Sequence, residues 1–202
     1  MKGSLVRLLA LATLSGCRGF QCFCDSGASQ DPHLRLAYGG RVDFRGENDT
    51  DYAFVSSPNV SVSIGTIDCL FRLGSNLIDG SFMTRMTSVF RTRKGRNLFL
   101  SFDTRDVNSN QWGWKMVKGL CSRSSDRGTF SMGPHTRRVC DEIAFEVDLS
   151  SLTIEHEDWQ FTFTAQPIYG VVRGPTHRLD FTARLRHDEH SVRPHGLIGQ
   201  SY

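Results

Sequence analysis

Residues 179–185 read LDFTARL, with an apolar side chain at every second position and Asp180, Thr182 and Arg184 between them. An extended chain points successive side chains to opposite faces, so this pattern fits a strand with one dry face and one wet face. The period of two recurs in Val60, Val62 and Ile64 against Ser61, Ser63 and Gly65. It recurs again in Trp112, Trp114 and Met116, and along Ile143, Phe145, Val147 and Leu149. Turn-forming stretches such as GENDTD, SSPN, RKGRN and VRGPTH punctuate these runs, and no segment sustains a helical period. The pattern predicts an all-β fold, an antiparallel β-sandwich, with an up-and-down β-barrel as the alternative. At 202 residues and 39% hydrophobic composition, one domain can bury a full core.

The amino terminus points to a compartment. A short basic start, the apolar run Leu8 to Leu14 and the small residues of SGCRG predict a signal peptide over residues 1–19. A short Cys-containing segment, 20–30, and a β-domain, 31–202, follow. The apolar run is too short to span a bilayer, and no other segment approaches the roughly 18 apolar residues a spanning helix needs. Leu14-Ser15-Gly16-Cys17 offers an alternative, a lipoprotein box anchoring the chain through Cys17. Acceptor sequences at Asn48 and Asn59 instead favour a soluble extracellular glycoprotein. A formal charge of +3 with no pooled basic tail speaks against nucleic acid as a partner.

Cleavage after Gly19 leaves Cys22, Cys24, Cys69, Cys121 and Cys140, an odd set that permits disulfide-linked self-association. Cys121 and Cys140 enclose a loop rich in Ser, Arg and Gly that has few core formers, so a bridge is expected there. Cys22-Phe23-Cys24 lacks the two-residue spacer of thioredoxin-type sites and reads as structural.

Residues 31–46, DPHLRLAYGGRVDFRG, read as an opening hairpin. A three-residue loop, Gly39-Gly40-Arg41, would pair Tyr38 with Val42 and Leu36 with Phe44. Leu34, Leu36, Tyr38, Val42 and Phe44 would then share the buried face. Asp43 would lie between Arg35 and Arg45, with His33 just outside the hairpin.

Asp31-Pro32-His33, Gly40, Asp43-Phe44 and Gly46 resemble the opening motif of von Willebrand factor type D domains. His195-Gly196-Leu197-Ile198-Gly199-Gln200 resembles the Gly-Leu-Cys-Gly element late in those domains, with Ile198 at the cysteine position. Cysteine-poor relatives such as the plant root-cap proteins share the His-Gly-Leu variant. The resemblance covers residues 31–202 and implies a secreted all-β module that is structural, adhesive or matrix-associated. Tyr38-Gly39 departs from the usual Phe-Asp. The type D calcium loop would follow Gln200, so the resemblance assigns no calcium ligands.

Candidate sites are few. Arg91, Arg93, Lys94 and Arg96, with Arg85 nearby, form a basic hairpin tip suited to an anionic polysaccharide. An extracellular protein is the other expected partner. His187, His190 and His195 hold potential metal ligands, but His187 and His190, three apart on an extended segment, point to opposite faces; a solvated loop is expected and no metal. Trp112 and Trp114 could stack on sugar, although sharing a face with Met116 predicts burial. There is no nucleophile elbow, phosphate loop or dinucleotide fingerprint, so no enzyme and no cofactor is expected. Glu155, Glu157 and Asp158 carry the alternative, a secreted hydrolase.

Overall fold

The computed structural model describes residues 25–29, 32–37, 39–107, 115–122, 127–186 and 194–202. The strands in chain order are β1 (Asp25–Ser29), β2 (His33–Arg35), β3 (Arg41–Asp43), β4 (Thr50–Ser57) and β5 (Val60–Leu73). Next come β6 (Asn76–Arg91), β7 (Asn97–Asp103), β8 (Val117–Ser122), β9 (Arg127–Met132) and β10 (Thr136–Cys140). The last are β11 (Ile143–Val147), β12 (Ser151–Glu155), β13 (Trp159–Pro167), β14 (Val171–Arg173) and β15 (His177–Leu185).

They form two open antiparallel sheets, a sandwich and not a barrel. One sheet runs β10-β11-β12-β13-β15-β1-β2-β3. The other runs β14-β5-β6-β7-β8-β9, with β4 also paired to β5. No helix among the described residues is long and apolar enough to cross a membrane.

Alternation decides what fills the interior. Leu179, Phe181, Ala183 and Leu185 are buried, as are Val60, Val62 and Ile64. Aromatic rings join the sheets: Phe54 meets Phe181 edge-on at 6.0 Å, Phe90 meets Phe161 at 5.8 Å, and Phe130 stacks on Phe145 at 5.5 Å. Each such pair adds about 0.5–1.5 kcal/mol beyond the area it buries. Leu149, expected on the buried face with Val147, is instead 61% exposed, because β11 ends at Val147. Met116 is buried, whereas Trp112 and Trp114 lie outside the described residues.

The opening hairpin differs from its expected register. His33 pairs with Asp43, Leu34 with Val42 and Arg35 with Arg41, so the turn begins after Arg35 and ends before Arg41; Tyr38, expected on the buried face, lies outside the described residues. Two successive glycines at φ 92° and 91° allow this wider loop, which only residues free of a Cβ adopt easily. Val42 pairs with Leu34 in place of Tyr38, a slip of four residues, so the faces keep their parity. Phe44 consequently leaves the strand and packs edge-on against Tyr52 and Phe54. Val42, expected inside, is half exposed on an edge strand. His33 begins β2, and its Nδ1 lies 2.7 Å from Asp43, while Arg45 turns to Asp79. The sheet also takes in Asp25–Ser29, ahead of residue 31, where the β-domain was expected to start.

A carboxy-terminal strap closes one end. His195 and Ser56 exchange backbone hydrogen bonds, Leu197 and Ile198 donate to Ala53 and Phe54, and Ile198 is fully buried. Gly196, at φ 95°, lies so close to the Phe54 backbone that a Cβ would fall 2.7 Å from its oxygen. The Tyr202 hydroxyl donates to the Ala183 carbonyl and so accepts from Ser26, 2.7 Å away. Ser201 Oγ accepts from the Ala37 amide, so the strap also touches the connection of the opening hairpin.

Cys121 on β8 bonds Cys140 on β10, tying the two sheets together at one edge. Closing a loop of sequence separation 19 stabilises the fold by about 3 kcal/mol in the chain-entropy picture. Replacing both cysteines with serine should lower the unfolding free energy in urea by that amount, with a steeper slope as the freed denatured chain exposes more surface; an unchanged free energy would show that the bridge adds nothing.

Candidate functional site

Burying one face of β5 to β8 forces the other outward, and the cross-strand registers line up what emerges. Ser61, Val89, Phe99 and Leu120 form one row. Ser63, Thr87, Ser101 and Lys118 form the next. The two rows line a shallow groove of about 390 Å³ on the outer face of the sheet. Phe99 is 40% exposed there, an apolar plate beside a line of hydroxyls.

The groove continues past Thr87 and Ser101 into a second hollow of about 260 Å³ with ionic walls. Arg85 donates to Asp49 at 2.5 Å and Asp51 at 2.9 Å, and these bonds raise its pKa. The same contact holds the Asp49 carboxyl below its ordinary value. Burial pushes Asp103 up, but hydrogen bonds from the Arg105 side chain and backbone outweigh it and leave its pKa lowered. Lys118 donates to Asp106 at 2.9 Å. Three cations thus meet four carboxylates in a set of fixed ion pairs. Such an arrangement positions and neutralises; it presents neither an activated nucleophile nor a poised acid.

The predicted basic tip is a turn, Thr92 to Arg96, closed by Thr92 N to Arg96 O at 2.8 Å. Its charges do not project freely. The Arg96 guanidinium forms a two-pronged pair with Asp141, Lys94 lies 3.5 Å from the same carboxylate, and Arg93 pairs with Glu157. The Arg93 amide donates to Glu142 at 2.5 Å. Hydrogen bonding from Arg96 holds the Asp141 carboxyl down to about 2. Arg91 is exposed on the adjoining strand end. Three turns, distant in sequence, thereby neutralise one another at this end of the sandwich.

The remaining expectations have plain positions. Glu155 pairs with Arg186 at 3.2 Å and Glu157 with Arg93, so two of the three carboxylates of the hydrolase alternative are tied to arginines, while the backbone carbonyl of Asp158 accepts from the Arg186 amide. His195 is the exposed bridge residue of the strap, and His187 and His190 lie outside the described residues. Asn59 is exposed in the tight turn after Pro58, and exposed Asn48 accepts from the Asp68 amide through Oδ1. Cys69 carries no disulfide but is buried, with its pKa raised by that burial, and so is closed to a second chain. Cys17, Cys22 and Cys24 lie outside the described residues.

Compared with known proteins, the chain matches no protein-family model and no curated protein.

One buried group went unnoticed in the sequence. His156 lies 5.9 Å from the Phe90 ring, is 4% exposed, and its Nδ1 has no hydrogen-bond partner. Burial lowers its pKa below 6.5, outweighing the opposing field of Asp158, Glu157 and Glu142. A lowered histidine contributes stability that is present above pH 6.5 and lost as pH falls through the folded value. Stability measured from pH 7.5 to 4.5 should therefore decline for the native chain, and His156→Phe should flatten that part of the profile. Parallel profiles would remove His156 as the cause.

Proposed function

We propose that this chain is a secreted, non-enzymatic binding module that holds an extended neutral polysaccharide across the outer face of β5 to β8. The observation that carries this reading is the alignment of Val89, Phe99 and Leu120 beside Ser63, Thr87 and Ser101 on one open groove. Sugar rings have an apolar CH face and a hydroxyl rim, and such a surface offers a partner to each. The paired charges in the adjoining hollow support a neutral ligand over an anionic one. A sulfated or carboxylated polymer at the 92–96 turn would have to displace Asp141 and Glu157 from Arg96 and Arg93, which disfavours that placement.

The type D resemblance is consistent with the joining of the opening hairpin and the HGLIG strap through Ala37 and Ser201. The signal-like start and the exposed positions of Asn48 and Asn59 support an extracellular glycoprotein.

Native gel retardation in neutral glucans, xylans and mannans tests the site. Retardation by at least one is expected, with Phe99→Ala weakening it about tenfold, the share of one exposed aromatic plate. The Arg93→Ala/Lys94→Ala/Arg96→Ala variant should be retarded like the native chain. Loss of retardation in the triple variant and not in Phe99→Ala would return the site to the hairpin tip.

A further inference from the structure

The distal half of the β5–β6 ribbon has a different character from the rest of the sandwich. β4 pairs β5 only as far as Thr66, and β7 pairs β6 only from Arg85 onward. Residues 67–82 therefore project past both neighbouring strands, accompanied by the short β14 and, near their base, by the 45–48 connection that touches Asp68, Asp79 and Ser81. Their own apolar contacts, such as Phe71 with Phe82 at 5.3 Å, lie apart from the main core.

At the end of this ribbon large apolar side chains are exposed around the tip. Leu73 is 68% exposed, Leu77 53%, Val172 53% and Tyr169 81%. Leu77 is paired with Arg72 and Leu73 with Asn76, so the two leucines flank the turn from opposite faces of the ribbon, and the Arg72 amide donates to Gly170 O at 2.8 Å beside Tyr169. Arg72 and Arg173 flank the group, and neither has an ion-pair partner among the described residues. The nearby acids are Asp79, held by Arg45 at 3.5 Å, and Asp68, an exposed carboxylate four residues before Arg72 and farther from the tip.

From these observations we infer that the twin tips, Leu73–Leu77 and Tyr169–Val172, form a peripheral docking point for an anionic lipid surface. The patch sits at the end of a projecting ribbon, so it suits a medium that yields to a wedge better than a protein pocket of fixed shape. Aliphatic side chains enter the acyl boundary, and Tyr169 sits where an aromatic ring with a polar tip is most stable. Arg72 and Arg173 extend to lipid phosphates, their stems lying along the apolar surface. The charge complementarity is local: two unpaired guanidinium groups border the patch, while the other cations of the ribbon's base are already matched. This face is separate from the groove of Phe99, so the inference stands or falls independently of polysaccharide binding.

Co-sedimentation of the full chain with vesicles of phosphatidylcholine alone, and with phosphatidylserine at three parts in ten, tests it. Binding to the anionic vesicles is expected, weaker in high salt. Leu73→Ser/Tyr169→Ser should reduce the partition coefficient by at least about tenfold. Arg72→Gln/Arg173→Gln should reduce it by about 25-fold on anionic vesicles, roughly fivefold for each charge. Unchanged thermal midpoints would show that both variants remain folded. Equal sedimentation of native and variant chains would overturn the inference and assign binding to the apolar Leu8–Leu14 run. Failure of the native chain to sediment would overturn it too, as would a dimer abolished by the same substitutions without vesicle binding.

Discussion

Phe181 is the contact on which the two sheets depend. Its ring stacks on Phe163 at 5.0 Å and Phe161 at 6.1 Å within its own sheet, and receives the edge of Phe54 from the other at 6.0 Å. Trp159 extends the column, stacked on Phe161 and capped by the edge of Tyr202. Fully burying one such ring is worth about 1.5–3 kcal/mol, and the slab holds several. Once these rings are placed, the pleat leaves no choice for their neighbours: every intervening residue on β13 and β15 must turn outward. On the opposite sheet the same constraint sets the serines and Phe99 on a common outer surface, so the candidate groove is a by-product of core packing.

Electrostatics does a different job at each end. Around Arg85 the ion pairs knit the start of β4 to the middle of β6. Around Asp141 they hold three loops over the end of the core where His156 and Thr92 are buried. The more exposed of these pairs, such as Arg93 with Glu157, add little to stability singly. Their effect is on shape, fixing loop positions and cancelling charge that would otherwise repel across the turns.

The fold class was legible because LDFTARL, VSVSIG and IAFEV carry their burial in their own alternation. The Cys121–Cys140 bridge was legible from the weakness of the loop it closes. What escaped depended on partners far along the chain. The run Arg91 to Arg96 reads as a free basic tip, since its carboxylates come from residues 141 and 157, which nothing local announces. Val42 reads as core until the hairpin makes a wider turn and leaves it on an edge. The outward serines are visible one strand at a time, but their rows exist only once three registers are known. His156 lies in an acidic stretch, IEHEDW, that gives no hint of an enclosed imidazole.

The strand order also bears on how the molecule comes into being. β1 lies between β2 and β15, so Asp25 meets Arg184, 159 positions later, before the first sheet is continuous. The strap then has to bring Tyr202 beneath Trp159 and against Ser26. A chain emerging in order from the ribosome therefore carries a first strand paired on its β2 side alone through nearly its whole synthesis, and then a ring column left uncovered until the strap arrives. Closure waits on the last residues of this span. Long-range pairing of that kind slows folding and leaves sticky edges in view, so the fold asks for protection during biogenesis that the finished, ion-paired surface no longer needs.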